Sequence, residues 1–553
     1  MPRVADVVGR ALVDGGIDHV FGVVGSGNFH VTNAMVHAGA RFVAARHEGG
    51  AATMADAYAR TAERPAAVTV HQGCGLTNAM TGITEAAKSR TPVVVVAAEV
   101  TEPRSNFYVD QAALARAVGA MSFRVDDPAT AAVVAGDAVR TAVTTRRTVL
   151  LNLPLAVQAQ EARSGTSPPS EGEFSPSSLS GELPPGPRES PTSAVEQLAG
   201  AVRRAERPVF VAGRGARGAG PAVAEAAERS GALLAESAVA KGLFAGHPWS
   251  LGVSGGFASP GAAALIGGAD LIVGWGCALN MWTMRHGTLI APGATVVQVD
   301  DTADALGAHR ELTFGVLGDV ALTAAALAQR VEQRTGYRSD DVRRRLDAGI
   351  TWSTEPYDDL GGNGLIDPRT LSRDLDVLLP DDRVVAVDSG NFMGYPAAYL
   401  DVRDHHSFCF TQAFQSIGLG LATAIGAAVA SPGRLTVAAL GDGGALMSSM
   451  ELETVIRLGL DMLVVVYDDH AYGAEVHHFR PDGASLDTVV FPDTDIAAIG
   501  RGFGFDAVTV RAPRDLDAVR AWLDAGRPRP MLVDAKVADQ RPSWWLEEAF
   551  RGH

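Results

Sequence analysis

A chain of 553 residues is more than one hydrophobic core serves, and its size alone suggests about three domains. At 47% hydrophobic and 20% charged it reads as globular, and a net charge of −16 argues against a nucleic-acid surface or a polybasic membrane anchor. The opening MPRVADVVGRALVDGG lacks a continuous apolar signal segment, no run approaches membrane-spanning length, and Cys74, Cys277 and Cys409 fit neither a disulfide framework nor zinc-site spacing, so a cytoplasmic protein is expected.

Residues 1–157 alternate short Val/Ala-rich runs (HVFGVV, RFVAA, AAVTVH, PVVVVAAE, TVLLNLP) with helical patterns, which implies βαβ units on a parallel sheet. Within them, RHEGGAATMADAYAR places Glu48 at the mouth of a helix of small residues. That carboxylate either complements the helix dipole or has chemistry to do. Residues 158–193 are rich in Pro, Ser, Gly and Glu and read as a linker. A second α/β pattern covers 194–335, with strands at RPVFVAGRG, DLIVGWG and TVVQVD. Its GRGARG, Gly213 to Gly218, matches the dinucleotide template GxGxxG, but no acid stands at the end of a second strand. A nucleotide loop and a tight strand-to-helix turn both remain open. A polar linker, 336–367, leads to a third unit, 368–553, with strands at VVAVDSG, LTVAALGDGG, DMLVVVYDD and PMLVDAKV. The expected fold is α/β, with three doubly wound parallel-sheet domains.

The stretch 435–475 reads strand, Gly-Asp-Gly-Gly, helix, strand, Asp-Asp. Parallel strands of one βαβ unit end on the same edge, so Asp442 and Asp468/Asp469 should emerge together where ligands bind. Glycine turns let the backbone approach an anion, and paired carboxylates beside a phosphate suit Mg²⁺. The alternative is a plain turn followed by a solvated loop.

This pattern resembles the thiamin-diphosphate motif, and nearly the whole chain resembles the acetolactate synthase, benzoylformate decarboxylase and pyruvate decarboxylase superfamily. The resemblance implies a pyrimidine-binding, a middle and a diphosphate-binding domain, in that order. It implies thiamin diphosphate and Mg²⁺, with Asp442, Asp469 and the Ala471 carbonyl as metal ligands. Asp469 stands 27 residues after Asp442, and the pair Asp468–Asp469 replaces the family's usual Asn-Asn. Glu48 takes the place of the glutamate that shares a proton with the aminopyrimidine. Ile417 takes the place of the apolar wedge under the bent cofactor, and Gln415 that of the carbonyl facing its 4′-amino group. Gly390, Asn391, Gly443, Gly444, Tyr472 and Gly473 fall in the segments that meet the cofactor. Ser26, His71 and Gln72 lie in segments similar to the benzoylformate decarboxylase pocket, and Glu475 stands where pyruvate decarboxylases carry an acid. The aligned middle-domain stretch NMWTMRHG offers Trp282, Arg285 or His286 to the pocket. Acetolactate synthase's Phe-Gln pair is not found in 106–125, and Ser122 stands where its lysine is expected.

The implied activity is decarboxylation of a 2-oxo acid through an enamine, which is then protonated or joined to a second carbonyl. FAD or ADP in the middle domain is left open. The implied assembly is a homodimer or homotetramer with active sites between subunits, and neither nucleic acid nor membrane is an expected partner. Two rivals are a catalytically weak, thiamin-diphosphate-binding regulatory protein and a nucleotide-dependent oxidoreductase using GRGARG.

Overall fold

The structure, a computed structural model, describes residues 2–162, 188–538 and 543–549; most of the expected linker 158–193 lies outside the described residues. It contains three sheets of six strands, all parallel, each flanked by helices. The first sheet holds β1 (His19–Gly22), β2 (Arg41–Ala44), β3 (Ala66–Val70), β4 (Val93–Glu99), β5 (Met121–Arg124) and β6 (Val149–Pro154), in the order β2-β1-β3-β4-β6-β5. The central sheet holds β7 (Pro208–Ala212), β8 (Leu233–Glu236), β9 (Ser250–Val253), β10 (Leu271–Trp275), β11 (Thr295–Asp300) and β12 (Phe314–Leu317), in the order β12-β11-β10-β7-β8-β9. The third holds β13 (Arg383–Val387), β14 (Phe408–Phe410), β15 (Leu435–Gly441), β16 (Met462–Asp468), β17 (Asp506–Val510) and β18 (Met531–Lys536), in the order β14-β13-β15-β16-β18-β17. The first and third sheets therefore share one topology.

Central strands such as β3, β7, β13 and β16 are buried along their whole length, as continuous Val/Ala runs require when helices cover both faces. The strands not anticipated from sequence are β5, β8, β9, β12, β14 and β17. Five of these six are sheet edges, short and mostly half-exposed, so they lack the apolar run that marks a buried strand. The stretch 336–367 carries helix Asp340–Asp347, and Tyr337, Leu346 and Ile350 pack on the central unit's core.

Helix Glu48–Ala62 packs against helix Gly420–Ala430 so closely that a Cβ on Gly426 would overlap the Met54 carbonyl. Ala51, Ala55 and Ala59 are buried, and one apolar core runs from the first unit into the third. The small residues after Glu48 thus serve a helix contact. Among the described residues, no helix is long and apolar enough to cross a membrane.

Candidate active site

In each sheet the chain leaves one strand toward one side and later returns to its other side, which opens a crevice at the carboxyl edge. In the third sheet this switch lies between β13 and β15. After β13, Gly390 has φ 137°, a conformation L side chains rarely adopt, and turns the chain into Asn391–Met393. After β15 comes Asp442, the first residue of helix Asp442–Met447. In the register of β15 and β16, Gly441 pairs with Tyr467, so Asp442 and Asp469 stand just past neighbouring strand ends.

The side chains here converge. A Cβ on Gly473 would overlap the Asp469 carboxylate and lie 3.0 Å from Asn391 Nδ2, and one on Gly443 would lie 2.8 Å from the Tyr472 ring. Ser543 Oγ donates to Asn391 Oδ1 (2.9 Å) and Trp545 Nε1 donates to its carbonyl (3.1 Å), so the C-terminal segment pins Asn391. Hydrogen bonds from Tyr472 N to the Val489 carbonyl and from Phe491 N to the His470 carbonyl brace the turn around Ala471. Asp442 is pushed up to about 7, by burial first and by Asp468 second, so the crevice is short of positive charge. The donor set is two carboxylates with glycine backbone beside them, hard oxygen ligands that fit Mg²⁺ and a diphosphate. Asp468 points elsewhere: it is 1% exposed, and Lys536 Nζ lies 2.5 Å from it.

Asp388, at the end of β13, is a functional neighbour that the sequence reading missed. It is fully buried and accepts from the amides of Ser389 (2.8 Å), Gly418 (2.9 Å) and Leu419 (3.2 Å). Burial raises it to about 6 despite those donors. It ties the Gly390 loop to the segment bearing Gln415 and Ile417. An acid closing an apolar strand, VVAVD, was the available signal. Gln415 is exposed with φ 65°, the left-handed region unusual for a non-glycine residue, and Ile417 is half-buried. Gly444 packs directly on Asp388.

In the first sheet the switch lies between β1 and β3, and their ends carry Ser26 and His71. His71 Nδ1 is 3.1 Å from the Gln72 carbonyl, which can only accept, so Nδ1 carries the proton. Nε2 faces Ser26 Oγ, 3.4 Å away. Glu48 opens its helix after the N-cap His47, and Glu48 Oε2 accepts from Asn78 Nδ2 at 3.1 Å. A Cβ on Gly75 would lie 3.4 Å from Glu48 Oε1 and 3.1 Å from His71 Cβ, so Glu48 and His71 flank one glycine. Gln72 does not join Ser26 at this opening; its side chain is buried beneath Gly27. Glu475 is exposed on helix Gly473–Phe479, on the third sheet's edge rather than beside His71.

In the central sheet the switch between β7 and β10 opens into a cavity of about 630 Å³, lined by Arg214, Cys277, Trp282, Asp300 and Gln415 among others. Trp282 therefore shares a cavity with Gln415, not with Ser26. Arg285 is turned inward, donating to the Gly255 (2.9 Å) and Ala258 (2.7 Å) carbonyls. GRGARG borders the cavity, but its backbone is already engaged. Gly213 N donates to the Trp275 carbonyl (2.8 Å) and Gly215 N to the Gly276 carbonyl (3.0 Å). A side chain on Gly213 or Gly215 would strike the Gly276 loop, so these glycines serve loop-on-loop packing.

Comparison with known proteins places the three units in one family. Residues 2–119 match the family described as "Thiamine pyrophosphate enzyme, N-terminal TPP binding domain". Residues 195–327 match its central domain and 388–535 its C-terminal TPP binding domain. The chain belongs to the thiamine pyrophosphate enzyme family. It is 28% identical to a sulfoacetaldehyde acetyltransferase of Rhodobacter capsulatus, over 97% of this chain and 93% of that protein. It is 27% identical to a catabolic acetolactate synthase of Raoultella terrigena (97% and 95%) and 28% identical to a probable 2-ketoarginine decarboxylase of Pseudomonas aeruginosa (94% and 90%).

Proposed function

We propose that this protein uses thiamin diphosphate and Mg²⁺ to decarboxylate a 2-oxo acid and passes the remaining fragment to a proton or to a second carbonyl compound. The observation that carries this is the convergence of Asp442, Asp469, Asn391, Tyr472 and two side-chain-intolerant glycines at the switch point of the third sheet. Asp442, Asp469 and the Ala471 carbonyl hold the metal. Asn391, Gly390, Gly443 and Gly444 would receive the diphosphate, and the half-buried Ile417 would pack against the cofactor's rings. When bound, the thiazolium accepts the electrons released as CO₂ departs.

The chain's own residues control protons. Glu48, held by Asn78 and favoured by the helix N-terminus, keeps a proton at the pyrimidine ring nitrogen. His71, whose Nε2 faces Ser26 Oγ, is set to take or return a proton over the reacting carbon, and Ser26 orients the substrate carboxylate. Glu475 supplies a second acid, and Trp282 with Gln415 bounds the substrate from the central side. Gln72 acts by backing the loop at Gly27, next to Ser26.

The active unit is a homodimer or larger, in which Glu48 of one chain meets the diphosphate site of another. Glu48, Asn78 and Ser26 are half- or fully exposed in the single chain, as are the apolar Phe29 and Phe107 of the first unit and Leu446, Met447 and Met450 just after Asp442 in the third. A regulatory protein without turnover was favoured only by Asp468–Asp469, and Lys536 offsets the charge of Asp468. Whether the cavity lined by Trp282 and Gln415 also admits a flavin is decided by the visible absorbance of the purified protein.

The test is a proton NMR time course with Mg²⁺, thiamin diphosphate and a panel of 2-oxo acids, with and without an aldehyde acceptor. A free aldehyde identifies a decarboxylase, and a hydroxyketone or acetolactate-type product identifies a carboligase. No CO₂ release from any 2-oxo acid would contradict the proposal.

A further inference from the structure

The shared topology of the first and third sheets has a counterpart in how the two units grip each other. In both, the second strand of the unit (β2, β14) runs out into a loop bearing proposed cofactor-facing residues. Arg46 and His47 precede Glu48 on one loop, and Ala413 and Phe414 precede Gln415 and Ile417 on the other. In both, the helical segment after the third strand (β3, β15) carries a buried glutamate, Glu85 on helix Cys74–Lys88 and Glu451 on the turn Ser449–Glu451.

Each glutamate reaches the other unit's loop. Glu451 is 2% exposed, and its Oε1 accepts from the backbone amides of both Arg46 and His47 at 3.0 Å. Its Oε2 accepts from Thr454 Oγ1 at 2.6 Å. A Cβ on Gly50 would stand 2.6 Å from Glu451 Oε1, so this approach also explains the glycine two residues past Glu48. Glu85 is fully buried; its Oε1 accepts from Ala413 N at 3.1 Å and its Oε2 from Phe414 N at 2.7 Å. Arg60 Nη2 lies 2.7 Å from Glu85 Oε1, and Arg60 Nη1 donates to the Phe410 carbonyl at 2.9 Å, reinforcing the same loop.

We propose that Glu451 and Glu85 are reciprocal positioning residues, each fixing the other unit's cofactor-facing loop by accepting two consecutive backbone amides. Neither touches substrate or cofactor. Glu451 sets where Glu48 begins, and Glu85 sets the approach to Gln415 and Ile417. The functional consequence rests on the proposed function, whereas the clamp itself does not.

The bonding pattern separates the two. At Glu451 both amides use one oxygen, so a glutamine keeps that acceptor and turns its NH₂ toward Thr454 Oγ1, which can accept. At Glu85 each oxygen takes one amide, so a glutamine must set an NH₂ against an N–H. Hydrogen–deuterium exchange on the full-length, cofactor-free protein reads this directly. Glu451→Ala should speed exchange at Arg46 and His47 by about tenfold, leaving Ala413 and Phe414 unchanged, and Glu451→Gln should restore protection. Glu85→Gln should speed exchange at Ala413 or Phe414 and leave 46–47 unchanged. If Glu451→Ala does not fold, Glu451→Asp withdraws the carboxylate by one methylene and serves the same purpose. Unchanged exchange at 46–47 in the alanine or aspartate variant, or a glutamine variant as loose as the alanine, would overturn the clamp. In the holoprotein, Glu451→Ala should slow deuterium exchange at C2 of bound thiamin diphosphate by about tenfold or more, with a smaller loss of cofactor affinity and rescue by Glu451→Gln. Unchanged C2 exchange beside loosened amides would overturn the positioning role. A wild-type protein that bound no cofactor would instead defeat the functional reading, while the amide measurements still decide the clamp.

Discussion

Replacing Lys536 by methionine keeps most of the aliphatic stem and removes one buried cation. Lys536 Nζ lies 2.5 Å from Asp468, 3.2 Å from Asp534 and 2.8 Å from Asp493, and it donates to the Thr494 carbonyl at 2.8 Å. Asp468 and Lys536 are 1% exposed and Asp534 is fully buried, whereas the Asp493 side chain is 52% exposed. Water screens the Asp493 pair, which contributes at most about 1 kcal/mol. The variant's main effect is to leave two buried carboxylates without a cation, a cost of about 3–5 kcal/mol. At 2–4 °C per kcal/mol, typical of a unit of roughly 150–250 residues, the third unit should melt on the order of 10 °C lower.

The sign with pH follows. Burial already pushes Asp534 up to about 6 with Lys536 present, and losing the cation raises it further, so the deficit grows as pH rises and shrinks in acid as a proton is taken up. Differential scanning calorimetry between pH 5 and 8 measures both effects. Adding Asp468→Asn, the residue type the family resemblance implies there, should recover a large part of the loss. A shift under about 2 °C at pH 8, or no recovery from the second change, would refute the reasoning.

Two further outcomes follow from the same crevice. Asp442, pushed up to about 7, is largely protonated at pH 6, so Mg²⁺ binding to cofactor-free protein should release close to one proton there and almost none at pH 8. Affinity should fall about tenfold per pH unit below 7, and calorimetry in two buffers of different ionisation enthalpy checks both points. Gly473→Ala places a methyl group on the Asp469 carboxylate; it should weaken Mg²⁺-dependent cofactor binding by about tenfold or more while the cofactor-free melting temperature moves by only a few degrees.

The central strands and the cofactor motif were legible because both rest on local pattern. Buried parallel strands need continuous Val/Ala runs, and Gly-Asp-Gly-Gly between two of them fixes where two carboxylates emerge. Edge strands such as β9 (SLGV) and β12 (FGVL) were not legible, because half-exposed pairing at a sheet edge leaves no apolar run. The GRGARG loop could not be resolved from sequence, since its glycines answer to Gly276, a residue on another strand end. Glu85 and Glu451 were invisible for a related reason, and Asp388 showed only as an acid closing an apolar strand. The amides that Glu85 and Glu451 hold lie more than 300 residues away along the chain, and a buried acid with non-local amide donors looks in sequence like any solvated one.

The central claim is that Glu48 activates the cofactor. The most direct measurement is quenched-flow deuterium exchange at C2 of thiamin diphosphate bound to the wild type and to Glu48→Gln. The account predicts fast exchange in the wild type and a loss of at least about a hundredfold in the variant, with cofactor still bound. Fast exchange in Glu48→Gln would contradict it.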